Sequence, residues 1–313
     1  MTKLEFDLIS RAVLTYLGGN ASPALELRAL RRSDYSPQTA VEVVVREAGP
    51  AQQPLRLVAK RFPDGRGAGT FRNMAMLWQA LMDRGDEGTL AVPAPLVYDP
   101  ASRCLIQQKA PGVGLADLTD TAAFEPALAL AGRALAELHR CRLPLGTPAE
   151  LSDHMADLIH PHPLKLAEAW APARRRILDL VDALAANPAL QRGANRPGPV
   201  HREFHLRQVF FHLRRVWLVD WDLLARGDPA LDLGNFSMSL ETRFGTQRGT
   251  AAFEAFLSGY CALAGEGSLP RAPAYRALGY LRRACEFCRI GRPDWQIGSA
   301  AMLDAAEAAM RAA

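Results

Sequence analysis

Cysteine is scarce and odd in number, five scattered through 313 residues, which gives no disulfide framework for a chain of this size. Cys285 and Cys288 form a lone CxxC in the stretch LRRACEFCR. With no second pair and no neighbouring histidine, the expectation is core packing rather than zinc. Long apolar runs are absent as well. None approaches the ~20 residues that cross a bilayer, and the opening MTKLEFDLISRAV carries Glu5 and Asp7, so it is not read as a signal peptide. These absences point to a reduced, cytoplasmic setting without a membrane partner. Charge of one sign is also lacking: 37 basic against 33 acidic residues leave +4, too little to argue for nucleic acid. A mild positive balance does suit a polyanionic small molecule such as a nucleotide.

What is there is an ordinary globular composition, 49% hydrophobic and 22% charged, in a chain long enough for two lobes with separate cores. Leu4 to Leu17 has helical spacing and stops at Gly18-Gly19-Asn20. Strand signals follow at Leu25 to Leu30, Val41 to Val45 and Leu55 to Phe62. Pro63-Asp64-Gly65 ends the last of these, Phe71 to Met82 reads as a helix, and Leu96 to Tyr98 and Cys104 to Gln107 read as two more strands. After Ala110-Pro111-Gly112 the chain turns alanine- and leucine-rich with helical periodicity at Phe124 to Arg140, Leu164 to Ala186, Ala251 to Ala264, Tyr275 to Ile290 and Ala300 to Ala312. One island, Val209 to Phe211 and Val216 to Val219 around Leu213-Arg214-Arg215, reads as a hairpin. The expected fold class is α+β, with a small β-rich lobe over residues 1–108 and a larger, mostly helical lobe over 109–313.

The window from Pro199 to Phe236 carries the chemistry: PVHREFHLRQVFFHLRRVWLVDWDLLARGDPALDLGNF. It resembles the catalytic and metal-binding segment of the aminoglycoside phosphotransferase and choline kinase-like family. That family has a histidine, any residue, a catalytic Asp, an Asn five residues later, a hairpin ending in Asp-Trp-Asp, then Gly-Asp-Pro-x-x-Asp-Leu. The matching residues are His201, Glu203 at the Asp position, Gln208 at the Asn position, Asp220-Trp221-Asp222, Gly227-Asp228-Pro229 and Asp232-Leu233. His205 also fits. Ala131 to His139 (AGRALAELH) is similar to the helix that precedes the family's catalytic loop, and Ala110 to Leu115 to its post-hinge turn.

The resemblance implies a two-lobed, protein-kinase-like fold and an O-phosphotransferase that uses Mg²⁺ with ATP or GTP on a small hydroxylated acceptor. Glu203 then orients the acceptor hydroxyl and takes its proton, and His201 belongs to the same catalytic loop. Asp220 holds the metal, and the amide oxygen of Gln208 completes its shell. Lys60, in Leu-Val-Ala-Lys, neutralises nucleotide phosphates, and Gln107 is a further nucleotide-binding candidate. Asp228 and Asp232 are expected to be structural, fixing the loop and capping a helix near Leu233. For Glu203 the alternative is an ion pair with Arg202 or Arg207; for Asp220 it is a turn aspartate after a buried strand.

Several positions depart from the family pattern. Glu203 and Gln208 each set their functional group one methylene further from the backbone than Asp and Asn, a displacement of ~1 Å. Arg32 to Thr39, between the first two strands, contains no glycine, and Phe71 to Met82 contains no glutamate to pair with Lys60. Asn73 or Gln79 offers it only a neutral hydrogen bond. These losses motivate a second reading, a catalytically impaired, pseudokinase-like binding protein. The many arginines of the helical region, among them Arg174 to Arg176, Arg282-Arg283, Arg289 and Arg292, favour a neutral or acidic acceptor over a polycation. Gly65-Arg66-Gly67-Ala68-Gly69 has GxGxG rather than dinucleotide spacing and reads as a mobile loop. His154, His160 and His162, with Pro161 and Pro163 in the same stretch and no fixed helical face, read as a partly exposed loop rather than a metal site.

Overall fold

The computed structural model describes residues 2–18, 24–30, 39–46, 54–85, 87–194, 196–291 and 293–313. By packing, the chain divides into two units: Met1–Glu87, Ala91–Gly112 and Trp217–Asp222 form the first, and Gly88–Leu90, Val113–Val216 and Leu223–Ala313 the second.

Period-two burial builds the first unit. It contains α1 (Lys3–Tyr16), β1 (Ala24–Ala29), β2 (Thr39–Arg46), β3 (Leu55–Arg61), α2 (Gly67–Asp83), part of β4 (Leu90–Ala91), β5 (Pro95–Asp99) and β6 (Cys104–Gln108). Five of these strands form an antiparallel sheet in the order β1-β2-β3-β6-β5. Alternate residues Val41, Val43 and Val45, with Leu57, Ala59, Cys104 and Ile106, face α1 and bury against Ile9, Ala12 and Val13. The helix is held at its start by a capping box between Thr2 and Glu5. A second Glu5 oxygen accepts from Thr39 Oγ1 at 2.6 Å, tying α1 to β2.

One expectation fails here. Gly67-Ala68-Gly69 is not a mobile loop but the first turn of α2, which starts four residues before Phe71. A Cβ on Gly67 would lie 2.6 Å from the Tyr98 ring and 2.7 Å from that of Phe62, so only glycine lets the helix begin this close to those rings. Of the glycine-free connection, residues 31–38 lie outside the described residues and Thr39 opens β2.

The second unit is mostly helical, as the family resemblance implies. In chain order it carries β7 (Val113–Gly114), α3 (Phe124–His139), β8 (Thr147–Pro148), α4 (Leu151–Leu158), α5 (Pro163–Ala169), α6 (Arg174–Ala186), α7 (Pro188–Arg192), β9 (Gly198–Val200) and β10 (Val209–His212). Then come β11 (Arg215–Leu218), β12 (Ala225–Gly227), α8 (Ala230–Phe244), α9 (Thr246–Ala264), α10 (Ala272–Ile290) and α11 (Trp295–Arg311). The hairpin is β10 and β11; its last residues, Trp217 and Leu218, are counted in the first unit. The predicted helix from Leu164 to Ala186 is two helices. The chain leaves α5 at Trp170 and passes through a 3₁₀ turn at Ala171–Ala173 before α6, because Pro172 has no N–H to donate and disfavours helix at the residue before it. His154 lies on α4 and is fully buried, against the expectation of an exposed loop. Burial, followed by the charge of Arg202, pushes its pKa down to about 4.

The core of this unit gathers Leu158, Leu166, Ile177 and Leu184 around Ala274, Leu278, Leu281 and Cys285 of α10 and Leu303 of α11. Cys285 is a core residue, as its sequence context suggests, and burial pushes its thiol up to about 12. Helices α3 and α9 approach closely because both present glycine: a Cβ on Gly132 would lie 2.0 Å from the Phe256 carbonyl oxygen, and one on Gly259 1.8 Å from that of Ala129. Backbone cannot yield as a side-chain tip can. Gly132→Ala is therefore expected to lower unfolding stability by about 1–3 kcal/mol in urea titration, although alanine is the better helix former.

Candidate active site

The loop between β9 and β10 is held by one buried carboxylate. Asp232, in the first turn of α8, is fully buried; its Oδ2 accepts from the His201 amide at 2.6 Å and its Oδ1 from the Arg202 amide at 2.7 Å. The His139 ring, at the end of α3, reaches the same carboxylate at 3.1 Å and Tyr260 at 2.9 Å. Burial opposes the ionised form of Asp232, but the His139 hydrogen bond and charge and the loop amide outweigh it and hold the pKa below the ordinary carboxylate value. The Asn235 side chain donates to the Arg202 carbonyl at 3.1 Å. These contacts keep Arg202 at a φ of 67°, a left-handed conformation unusual for arginine. His201 is fully buried, and Phe204, three residues on, packs on Phe236 and Phe256 with centroids 5.0 and 5.9 Å away. Asp228 caps the start of α8 through the Ala230 amide at 3.0 Å and pairs with Arg271 at 2.5 and 2.9 Å.

Glu203 is thus presented from a loop fixed on both sides. Its Oε1 accepts from Arg282 Nη2 of α10 at 2.7 Å, with the two side chains 31% and 27% exposed. The partner is neither Arg202 nor Arg207: Arg202 reaches Asp157 at 3.3 Å, and Arg207 is exposed. Gln208, largely buried, ends the 3₁₀ turn before β10, with its amide nitrogen 3.5 Å from His205 Nε2.

Lys60 and Asp220 come together within the first unit. The Lys60 ammonium pairs with both Asp220 and Asp222, and its side chain is only 14% exposed. Burial opposes its charge, but the two carboxylates prevail and raise the pKa above the ordinary lysine value. Lys60 therefore has its ion pairs without any glutamate from α2. Asp220 sits at a φ of 71°, and the buried Trp221 indole donates to the Leu218 carbonyl at 2.8 Å, anchoring the strand end. Gln107 pairs in register with Val58, two residues from Lys60, so it shares the sheet face opposite α1. The same face carries Glu42, which accepts from Lys109 at 2.8 Å and Arg56 at 3.2 Å.

The donor set suits a hard divalent cation. Asp220 and Asp222 already converge on a single cation, the Lys60 ammonium, and Mg²⁺ needs only one or two carboxylates beside water and phosphate oxygens. Among the described residues no group of three His, Cys, Asp or Glu forms a self-sufficient metal cage.

The family model for phosphotransferase enzymes matches residues 31–277. The chain belongs to the phosphotransferase enzyme family. Solved relatives share the fold at low identity. A choline/ethanolamine kinase family protein from Mesorhizobium loti is 18% identical with a TM-score of 0.62, covering 96% of this chain and 93% of its own. The aminoglycoside phosphotransferase APH(4)-Ia is 16% identical with a TM-score of 0.66, covering 98% of each. Choline kinase LicA from Streptococcus pneumoniae is 13% identical with a TM-score of 0.58, covering 97% and 99%. No curated protein matches the chain in sequence.

In this phosphotransferase-family chain two site residues were not singled out from sequence. Asp222 stands in the quoted Asp-Trp-Asp, so its carboxylate was legible there. Arg282 meets Glu203 across 79 positions, and no local pattern announces such a contact. Asp232 yields a direct test. A depressed carboxylate pKa contributes stability above the unfolded value near 4, and that stability is lost as pH falls through the lower folded value. Asp232→Asn is expected to cost about 1–3 kcal/mol at pH 7. It should also flatten the acid limb of the stability curve below pH ~4 in denaturant titrations.

Proposed function

We propose that this protein transfers a phosphoryl group from ATP or GTP, with Mg²⁺, to a hydroxyl of a small metabolite. The observation that carries the reading is the Lys60 ammonium seated between Asp220 and Asp222 in a chain of this family. A bound Mg²⁺ would supply charge neutralisation for the transferring phosphoryl group. Asp220 and Asp222 would hold it; Gln208, which the motif offers as a further ligand, belongs to the second unit. Lys60, exchanging its carboxylates for phosphate oxygens, would bind the nucleotide, with Gln107 on the same sheet face. Glu203 accepts the acceptor's proton, and the buried His201 positions the loop that presents it.

Calorimetric titration with nucleotide tests this directly. Binding is expected to require Mg²⁺ in the native protein and to vanish in Asp220→Ala; equal binding with and without the metal would overturn the assignment. Glu203→Asp is expected to lower turnover on the order of 100-fold, because the loop is set for the longer side chain and a misplacement of ~1 Å carries that cost. A gain in activity would instead mark a degraded site.

One observation favours a second reading, a kinase-like binding protein without transfer. Glu203 is already engaged by Arg282, so its carboxylate oxygen is taken by a guanidinium rather than open to an acceptor hydroxyl. Multiple turnovers on any acceptor would exclude it.

A further inference from the structure

Each arginine of α10 has a carboxylate partner, but the partners differ in kind. Arg276 pairs with Glu241 of α8, and Arg283 and Arg289 share Glu286 of their own helix. Arg282 alone reaches a loop carboxylate to which a proton-accepting role is assigned above. Its backbone is fixed, since Leu281, Ala284 and Cys285 beside it are fully buried. Its guanidinium is not sealed, for a quarter of the side chain meets solvent. Arg202 adds a second positive charge: it is 6% exposed, and its pKa is lowered by burial and, in part, by the charge of Arg282. Its partner Asp157 is largely exposed and so shields it weakly.

A cationic acceptor entering here would meet the Arg282 guanidinium backed by the buried charge of Arg202 and would have to strip Arg282 from Glu203. An anionic one would find a planar fork of donors made for carboxylate or phosphate. We propose that Arg282 anchors a negatively charged group of the acceptor, and that this anion draws Arg282 away from Glu203 and frees that carboxylate for the acceptor hydroxyl. The acceptor class is a small hydroxylated anion, a hydroxycarboxylate or a sugar phosphate. The inference rests on the phosphotransferase reading for its chemical step. In that step the acceptor oxygen bonds to the γ-phosphorus, its proton passes to Glu203, and the bridging P–O bond breaks with its electron pair leaving on the nucleoside diphosphate. Until an anion arrives, the Arg282 pair keeps Glu203 engaged, so acceptor-independent hydrolysis is held down.

Binding can be measured without nucleotide, which separates this inference from the phosphotransferase reading. Glycerate and ribose 5-phosphate serve as anionic probes, glycerol and ribose as neutral counterparts and choline as a cation, each titrated by calorimetry at millimolar concentration. The native protein is expected to bind an anionic probe and none of the others, and the better anion identifies carboxylate or phosphate as the source. Arg282→Ala should weaken that binding by about 10- to 100-fold, with partial recovery in Arg282→Lys. Glu203→Gln should tighten it about tenfold, because no ion pair then has to be broken. A purely structural ion pair predicts the opposite for Glu203→Gln, weaker binding or none. Failure of both anions to bind native and Glu203→Gln proteins overturns the proposal, as does equal binding of the neutral or cationic probes. Loss of magnesium-dependent nucleotide binding with these anion results intact would reject only the phosphotransferase reading. In turnover assays Arg282→Ala should raise the KM for the anionic acceptor while raising acceptor-independent nucleotide hydrolysis; a fall in both would mark a scaffold role and overturn the gating.

Discussion

A carboxylate with no access to water must find its hydrogen bonds inside the protein, and Asp232 finds them in the two peptide N–H groups at His201 and Arg202 and in the His139 ring. An uncompensated charge at that depth would cost several kcal/mol, so the loop, the end of α3 and the start of α8 cannot separate without exposing it to that penalty. Its place in the first turn of α8 adds the favourable field of the helix N-terminus. The unusual backbone of Arg202 follows from this constraint, since both loop amides must point at one carboxyl group. Glu203, the next residue, inherits its position from that frame.

The surrounding helices make the frame stiff. Glycine-mediated contact brings α3 and α9 within backbone distance, and the phenyl rings of Phe204, Phe236 and Phe256 fill the space beneath the loop. α10 packs on α8 and carries Arg282, so the residue that meets Glu203 is set by the same packing that places Asp232. Close-packed interiors relax little when one element is altered, which is why a loop carboxylate and a helix arginine 79 positions apart keep hydrogen-bonding distance.

Two charge clusters share one logic. Lys60 satisfies Asp220 and Asp222 in the first unit, and Arg282 satisfies Glu203 in the second. Each cation is engaged by the protein's own carboxylates: Arg282 and Glu203 balance, while Lys60 between two aspartates leaves one negative charge for a further cation, so that under the proposed function a ligand binds by exchanging partners. On that proposal Lys60, whose compact ammonium acts as a point charge, takes polyanions, and Arg282, whose fork has fixed geometry, takes a carboxylate or phosphate. Specificity arises from what each cation gives up as well as from what it gains.

Much of the fold was legible in sequence. Alternation marked β1, and β-branched or apolar runs marked the other four strands of the first sheet; 3.6-residue periodicity marked α1, α3, α9, α10 and α11, because such patterns reflect burial of one face. The misreadings have local causes. The helical start at Gly67 is hidden by residues of low helix propensity, whose purpose is close approach to Tyr98 and Phe62. The break at Trp170 is signalled only by Pro172 within an otherwise helical pattern. Motif spacing in the segment from His201 to Asp232 determined the family by itself, since those residues are neighbours along the chain. Their partners were decided by tertiary structure alone. Nothing local in α10 marks Arg282 as the residue that meets Glu203, and nothing in Leu-Val-Ala-Lys says that Lys60 turns to Asp220 and Asp222 in place of a helix glutamate. Charge pairing across tens or hundreds of residues depends on which faces the folded chain brings together, and only packing specifies that.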